Sequence, residues 1–116
     1  MSTSIPLRAV APDVCVAPQL APEHMAEVAR AGFRSVVNNR PDFEYGPDQP
    51  TNAAIEAAAR AAGLEYRFLP VHPMFQSPED IAAFAKLLAE LPRPTLAFCR
   101  SGTRSAKLFA QAIAAG

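Results

Sequence analysis

The sequence has no surplus of charge: 11 Lys and Arg balance 11 Asp and Glu over 116 residues, a formal net charge of zero. Nucleic acid and anionic membranes both favour a basic excess, so neither is an expected partner. Any attraction for anions has to be local. No apolar run nears the roughly 20 residues that cross a bilayer. The opening Met1–Pro6 has neither the charged start nor the long apolar stretch of a secretion signal. Two cysteines are too few for a disulfide framework, which makes a reducing cytoplasm the expected location. Two isolated histidines and no paired-cysteine motif give no reason to expect a metal. Repeats, linkers and composition breaks are also missing, so residues 1–116 read as one domain.

What is present is a globular composition, 50% apolar and 19% charged, with a regular alternation of short strands and helices. Leu7–Val10 and Val14–Ala17 read as two strands joined by a tight turn at Ala11-Pro12-Asp13. Pro22 opens a helix through Arg30, with Met25, Val28 and Ala29 on one face. Phe33–Asn38 is an apolar strand, followed by a loop rich in Pro, Gly and Asp from Asn39 to Pro50. Thr51 caps a helix that ends at Gly63, and Glu65–Val71 is the next strand. Ser77-Pro78-Glu79-Asp80 starts another helix, whose Ile81, Phe84, Ala85 and Leu88 form a buried face. Thr95–Cys99 reads as a central strand, and Ala106, Phe109, Ala110 and Ile113 as the apolar face of the last helix. Strands separated by helices predict a three-layer α/β sandwich, with a largely parallel sheet of about five strands and ligands at their carboxyl ends.

That places Cys99-Arg100-Ser101-Gly102-Thr103-Arg104-Ser105 between a strand and a helix that begins near Arg104 or Ser105. Such a loop turns its backbone N–H groups inward and aims a helix dipole at the same point, making an anion socket without net positive charge. A thiol at its floor reacts as a thiolate. A buried strand-end cysteine alone is most often core. Cys, Gly, Arg and Ser in this register point instead to a nucleophile. Cys99, Arg104 and Ser105 are the expected catalytic group: Arg104 bridging two oxygens or steadying the sulfur, Ser105 donating to the sulfur. Arg100 is expected to lean over the mouth, with Ser101, Gly102 and Thr103 completing the socket.

This loop resembles that of rhodanese sulfurtransferases and a shortened cysteine-phosphatase loop. Val14-Cys15-Val16-Ala17-Pro18-Gln19-Leu20 and Ser35-Val36-Val37-Asn38-Asn39-Arg40-Pro41 resemble the start of dual-specificity phosphatase folds. With Gly63-Leu64-Glu65-Tyr66 and Leu69-Pro70-Val71, the chain from about Leu7 to Ala114 is similar to the bacterial beta-lactamase hydrolase-like family. The resemblance implies a phosphatase-like fold labelled as a sulfur transferase, with a metallo-β-lactamase-like persulfide dioxygenase as a partner.

Phosphatase loops place five residues between Cys and Arg; here there are four, implying a narrower socket. Phosphoester cleavage also wants a general acid for the leaving oxygen. In the phosphatases that acid is an Asp after the strand preceding the long helix; here Val71-His72-Pro73-Met74-Phe75-Gln76-Ser77 offers only His72. Sulfite leaves thiosulfate as a stable anion and needs no acid. The expected function is therefore sulfane-sulfur transfer, from thiosulfate or a small persulfide through a Cys99 persulfide to a thiol acceptor, with no cofactor. The alternatives are a phosphatase acting through a Cys99 phosphoenzyme, and a non-catalytic docking module for the dioxygenase.

Arg40 at a strand's carboxyl end either reaches the substrate anion or pairs with Asp42 or Glu44, and His72 either contacts substrate or holds its loop. Cys15 reads as core, or as a resolving thiol if its sulfur lies near that of Cys99. His24 reads as surface. Met74 and Phe75 form either an apolar rim or part of the core, and Tyr45 is equally open.

Overall fold

The computed structural model describes residues 4–115; Met1, Ser2 and Thr3 of the opening stretch read above for a secretion signal, and Gly116, lie outside it. Five strands form one sheet: β1 (Arg8–Ala11), β2 (Val14–Ala17), β3 (Ser35–Asn38), β4 (Glu65–Phe68) and β5 (Thr95–Phe98), in the order β1-β2-β5-β3-β4. The edge hairpin β1–β2 is antiparallel, and every other pairing is parallel. The expected three-layer α/β architecture is the one observed. The helices are α1 (Met25–Arg30, preceded by a 3₁₀ turn at Pro22–His24), α2 (Asn52–Ala61), α3 (Pro78–Glu90) and α4 (Thr103–Ala115).

Alternation along the strands sorts two cores. Cys15, Val36, Leu96 and Phe98 face α1 and α2, packing on Met25, Val28, Ile55 and Ala59. Val16, Val37 and Ala97 face α3 and α4, packing on Phe84, Leu88, Leu108 and Ala112. The chain winds from β2 past β5 to β3 and β4, then α3 returns it to the vacant centre. β5 is therefore flanked by two parallel strands, and its carboxyl end opens where the winding reverses, the usual ligand crevice of such sheets.

The caps behave as their residues dictate. Thr51 Oγ1 accepts from the Ala54 amide, and Ser77 and Asp80 exchange bonds in a capping box. β4 is shorter than the expected Glu65–Val71, because Pro70 has no N–H to donate. Leu69 and Val71 still bond to the carbonyls of Asn38 and Asn39, so the segment follows β3 out to the site.

The last helix corrects its expected face. Ile113 is 62% exposed and Ala110 is exposed, while Arg104, Ser105, Leu108 and Ala112 are buried. Ala106 and Phe109 do pack on the core, but periodicity of apolar residues alone carried the face too far round, to Ala110 and Ile113. Arg104 and Ser105 are held inward by polar partners at the carboxyl ends of β3 and β4, and that rotates the helix.

Candidate active site

Cys99 follows β5 directly and is 1% exposed. Its neighbours are pinned to the β2–α1 segment: the Cys99 amide donates to Ala17 O at 3.3 Å, and Arg100 O accepts from the Gln19 amide at 3.1 Å. The Gly102 amide turns inward and donates to Cys99 Sγ at 3.1 Å. Gly102 needs its lack of a side chain twice over. Its φ is +90°, and a Cβ there would meet the Ala17 carbonyl at 3.4 Å. Helix α4 starts at Thr103, a residue earlier than expected, directly after the Gly102 amide that meets the sulfur.

Arg104 is 6% exposed and reaches across two strand ends. Nη1 donates to Asn39 O at 3.3 Å and Val71 O at 3.1 Å, and Nη2 donates to Glu44 Oε1 at 3.1 Å. Its Nε–H is buried without a partner. A buried donor left unpaired is costly, and this one is free to meet a ligand oxygen; Glu44 Oε2 also lacks a hydrogen bond, though it lies 3.1 Å from Arg104 Nη1. The cavity above the sulfur is about 140 Å³, lined by Cys99 with Tyr45, Pro73 and three cations, Arg100, Arg104 and Lys107. Ser101 and Thr103 complete the lining, which contains no carboxylate. Anions of a few atoms fit; drug-sized ligands usually occupy roughly 300 Å³ or more.

Sequence reasoning raised Glu44 only as a possible partner of Arg40, and missed its larger part. Phe43, at a φ of +57°, turns the loop so that Glu44 points in, while Phe43 and Tyr45 are exposed. Glu44 Oε1 accepts from Arg40 Nε at 2.9 Å as well as from Arg104. Burial pushes this carboxyl up, but hydrogen bonds and charge from Arg104 and Arg40 outweigh it and hold it below the usual carboxylate range. Glu44 is thus an anion shared by two guanidiniums, and the cluster keeps one positive charge in excess. An acid in a loop of Pro, Gly and Asp gave no signal beyond its four-residue spacing from Arg40.

The other expected site residues fall into place unevenly. Ser105 does not donate to the sulfur: Oγ donates to Asn39 Oδ1 at 2.8 Å, an amide oxygen being the stronger acceptor. Asn39 Nδ2 in turn donates to Leu69 O. Arg40 is buried and committed to Glu44 and Gln19 Oε1 rather than to the cavity. Arg100 is exposed, with its guanidinium 4.5 Å above the Tyr45 ring. His72 is exposed and outside the lining, and its Nδ1 accepts from the Met74 amide at 3.0 Å. His24 is only half-buried, and its Nδ1 accepts from the Ala21 amide. Cys15 pairs in register with Leu96, three residues before Cys99, or about 10 Å along the strand. That exceeds disulfide reach, and burial pushes the Cys15 thiol up, so it serves as core. Among the described residues, no three His, Cys, Asp or Glu side chains converge as metal ligands.

A cysteine in an amide loop at the carboxyl end of a central parallel strand, with a buried arginine in the first turn of the next helix, defines a phosphatase-like α/β enzyme. Residues 6–116 match the family described as Beta-lactamase hydrolase-like protein, phosphatase-like domain, and the chain belongs to that family. A Beta-lactamase hydrolase-like protein of Xylella fastidiosa is 48% identical over 82 residues, 71% of this chain but 19% of that protein. The chain thus spans about a fifth of that relative's length. Among solved structures, one from Neisseria meningitidis described as a candidate phosphatase superposes with a TM-score of 0.80 at 28% identity, covering 87% of this chain and 71% of that one. The P. aeruginosa protein TpbA, solved with phosphotyrosine, shares the fold at a TM-score of 0.59 and 19% identity, covering 85% of this chain and 56% of that one. No helix among the described residues is long and apolar enough to cross a membrane.

Proposed function

We propose that this domain transfers a sulfane sulfur through a persulfide on Cys99. The observation that carries the reading is the site itself: a small cationic cavity over the sulfur, with the Arg104 Nε–H unpartnered and no acid in the lining. Thiosulfate suits it. The Cys99 thiolate attacks the sulfane sulfur, the S–S bond of the donor breaks, and sulfite departs with the electron pair. No proton has to be delivered. The acceptor thiolate then attacks the terminal sulfur, the Cys99–sulfur bond breaks, and the Cys99 thiolate returns. Loop amides and Arg104 hold the donor's oxygens during the first step. A small persulfide serves as donor in the same way, with a thiolate as leaving group. A metallo-β-lactamase-like persulfide dioxygenase, which consumes persulfides, fits the product and belongs to the same proposal.

The comparisons favour a second reading, since the family's domain is phosphatase-like and the Neisseria structure is that of a candidate phosphatase. On that reading Cys99 attacks the phosphorus of a monoester, the ester P–O bond breaks, and water later hydrolyses the thiophosphate. The leaving alkoxide then requires a proton. Glu44 is held ionised by its two arginines, and His72 lies outside the cavity, so neither stands ready as the acid.

One experiment separates the two. The protein is treated under non-reducing conditions with thiosulfate, and separately with an aryl phosphate with and without vanadate. The expected result is one added sulfur atom on the Cys99 peptide by mass spectrometry, absent in Cys99→Ser, and no vanadate-sensitive phosphate release. Phosphate release that vanishes in Cys99→Ser, with no sulfur gained, replaces the proposal with the phosphatase. Neither activity removes Cys99 as a nucleophile and leaves a docking module.

A further inference from the structure

Six large apolar side chains are exposed among the described residues, and four of them belong to two loops that reach the cavity. Phe43 is 59% exposed, Tyr45 65%, Met74 85% and Phe75 65%. They stand on two loops, residues 40–50 and 72–77, which contribute Tyr45 and Pro73 to the cavity lining. Phe43, Met74 and Phe75 lie outside that lining. A small thiol reacting with Cys99 would therefore leave three of the four untouched. Between the loops stand the exposed cations Arg100 and Lys107.

The rim is also preformed. The Tyr45 ring has the Arg100 guanidinium at 4.5 Å and that of Arg40 at 5.4 Å. The 72–77 loop is closed by the Met74 amide on His72 Nδ1 and by Gln76 Nε2 on His72 O. Backbone tied in this way holds Met74 and Phe75 out in water rather than letting them fold under. Phe, Tyr, Met and Arg around a desolvated centre are the side chains enriched in protein interfaces, and preorganisation lowers the cost of docking there. Arg104 is paired with Glu44, but Arg100 and Lys107 meet no carboxylate in the cavity lining, which sets the charge of the partner.

We infer that the acceptor is a cysteine carried on a polypeptide segment, with acidic residues beside it for Arg100 and Lys107 and apolar residues for the two loops. This rests on the sulfur-transfer reading for the reacting atoms, though docking itself does not need the chemistry. In the step, the segment's thiolate attacks the terminal sulfur of the Cys99 persulfide. The Cys99–sulfur bond breaks, the segment leaves as a persulfide anion, and the Cys99 thiolate is regenerated.

The test uses two short peptides with one cysteine each, one flanked by Asp, Glu, Phe and Leu, the other by Lys and Ser, beside cysteine itself as a small acceptor. Sulfur-loaded protein is expected to transfer faster to the acidic, apolar peptide than to either competitor. The double variant Met74→Ser, Phe75→Ser is expected to slow that transfer about tenfold, as truncation of interface anchors does, and to leave transfer to free cysteine unchanged. Equal rates with both peptides, or an unaffected double variant, overturn the inference. The same peptides with Ser in place of Cys are titrated into unloaded protein by NMR. Binding without any sulfur loading removes the transfer reading and keeps the docking surface; loading without binding does the reverse. Sedimentation of the protein with phosphatidylserine vesicles, lost in the double variant, would assign the rim to lipid and also overturn the inference.

Discussion

At the amino ends of β3 and β5, Ser35 and Thr95 are buried with their hydroxyls 2.7 Å apart, and Ser35 Oγ donates to Pro92 O at 2.8 Å. At the carboxyl ends of the same two strands, Asn39, Arg40, Glu44, Arg104 and Ser105 form a second buried polar cluster. The first is neutral, made of short side chains, and closed on itself. The second is charged, spans side chains from one loop and a helix, and leaves the Arg104 Nε–H and Glu44 Oε2 without a hydrogen bond. The side chains of both clusters are largely buried, so burial does not distinguish them. What differs is whether the hydrogen-bonding capacity is used up, and an open donor at one end alone is what supports the proposal of a ligand there.

That contrast can be broken from either side. The largest effect is expected from Arg104→Lys, which keeps a positive charge but loses the fork that spans Asn39 O, Val71 O and Glu44. Group transfer should fall about 10²- to 10³-fold, the usual loss for removing a positioned donor to the reacting anion. Steady-state rates at saturating donor, with circular dichroism to show the fold, measure it; an undiminished rate would detach Arg104 from the chemistry. At the opposite end, Ser35→Ala should cost about 1–3 kcal/mol of stability by leaving the Thr95 hydroxyl short of a partner. Urea unfolding reads that loss, and the transfer rate of the folded variant should not move. A drop in rate would mean that the two ends are coupled and the contrast is false.

A subtler expectation concerns acid. Glu44 is held below its ordinary carboxylate range, so its ion pairs stabilise the fold fully above the unfolded-state value of about 4.3. That contribution is lost as pH falls through the depressed folded-state value. Glu44→Gln should therefore lower stability near neutrality and flatten its decline below about pH 4.3, as followed by urea midpoints across the acid range. Parallel curves for variant and parent would show that the two arginines do not depend on Glu44.

Much of the frame was legible because it rests on local rules. Ser77-Pro78-Glu79-Asp80 capped α3 as its chemistry requires, and the apolar run before Cys99 became the central strand. The phase of α4 was not legible. Apolar spacing favoured Ile113, but the buried side of that helix carries Arg104 and Ser105, whose inward partners come from residues about 60 positions away. The partner of Ser105 was misassigned for the same reason. A hydroxyl close to a cysteine in sequence faces that cysteine only if no better acceptor is near, and Asn39 Oδ1 is within 2.8 Å.

By itself the sequence determined the order of strands and helices, the placement of Cys99 where a strand passes into a helix, and the glycine that lets the loop close over the sulfur. These follow from backbone preferences acting over a few residues. Only the tertiary structure decided that Glu44 joins Arg40 to Arg104, that Cys15 stays clear of Cys99, and that one guanidinium N–H is kept open beside the thiol. Each depends on how separate segments meet at one end of the sheet, and pairing across that distance is set by packing and charge compensation rather than by spacing along the chain.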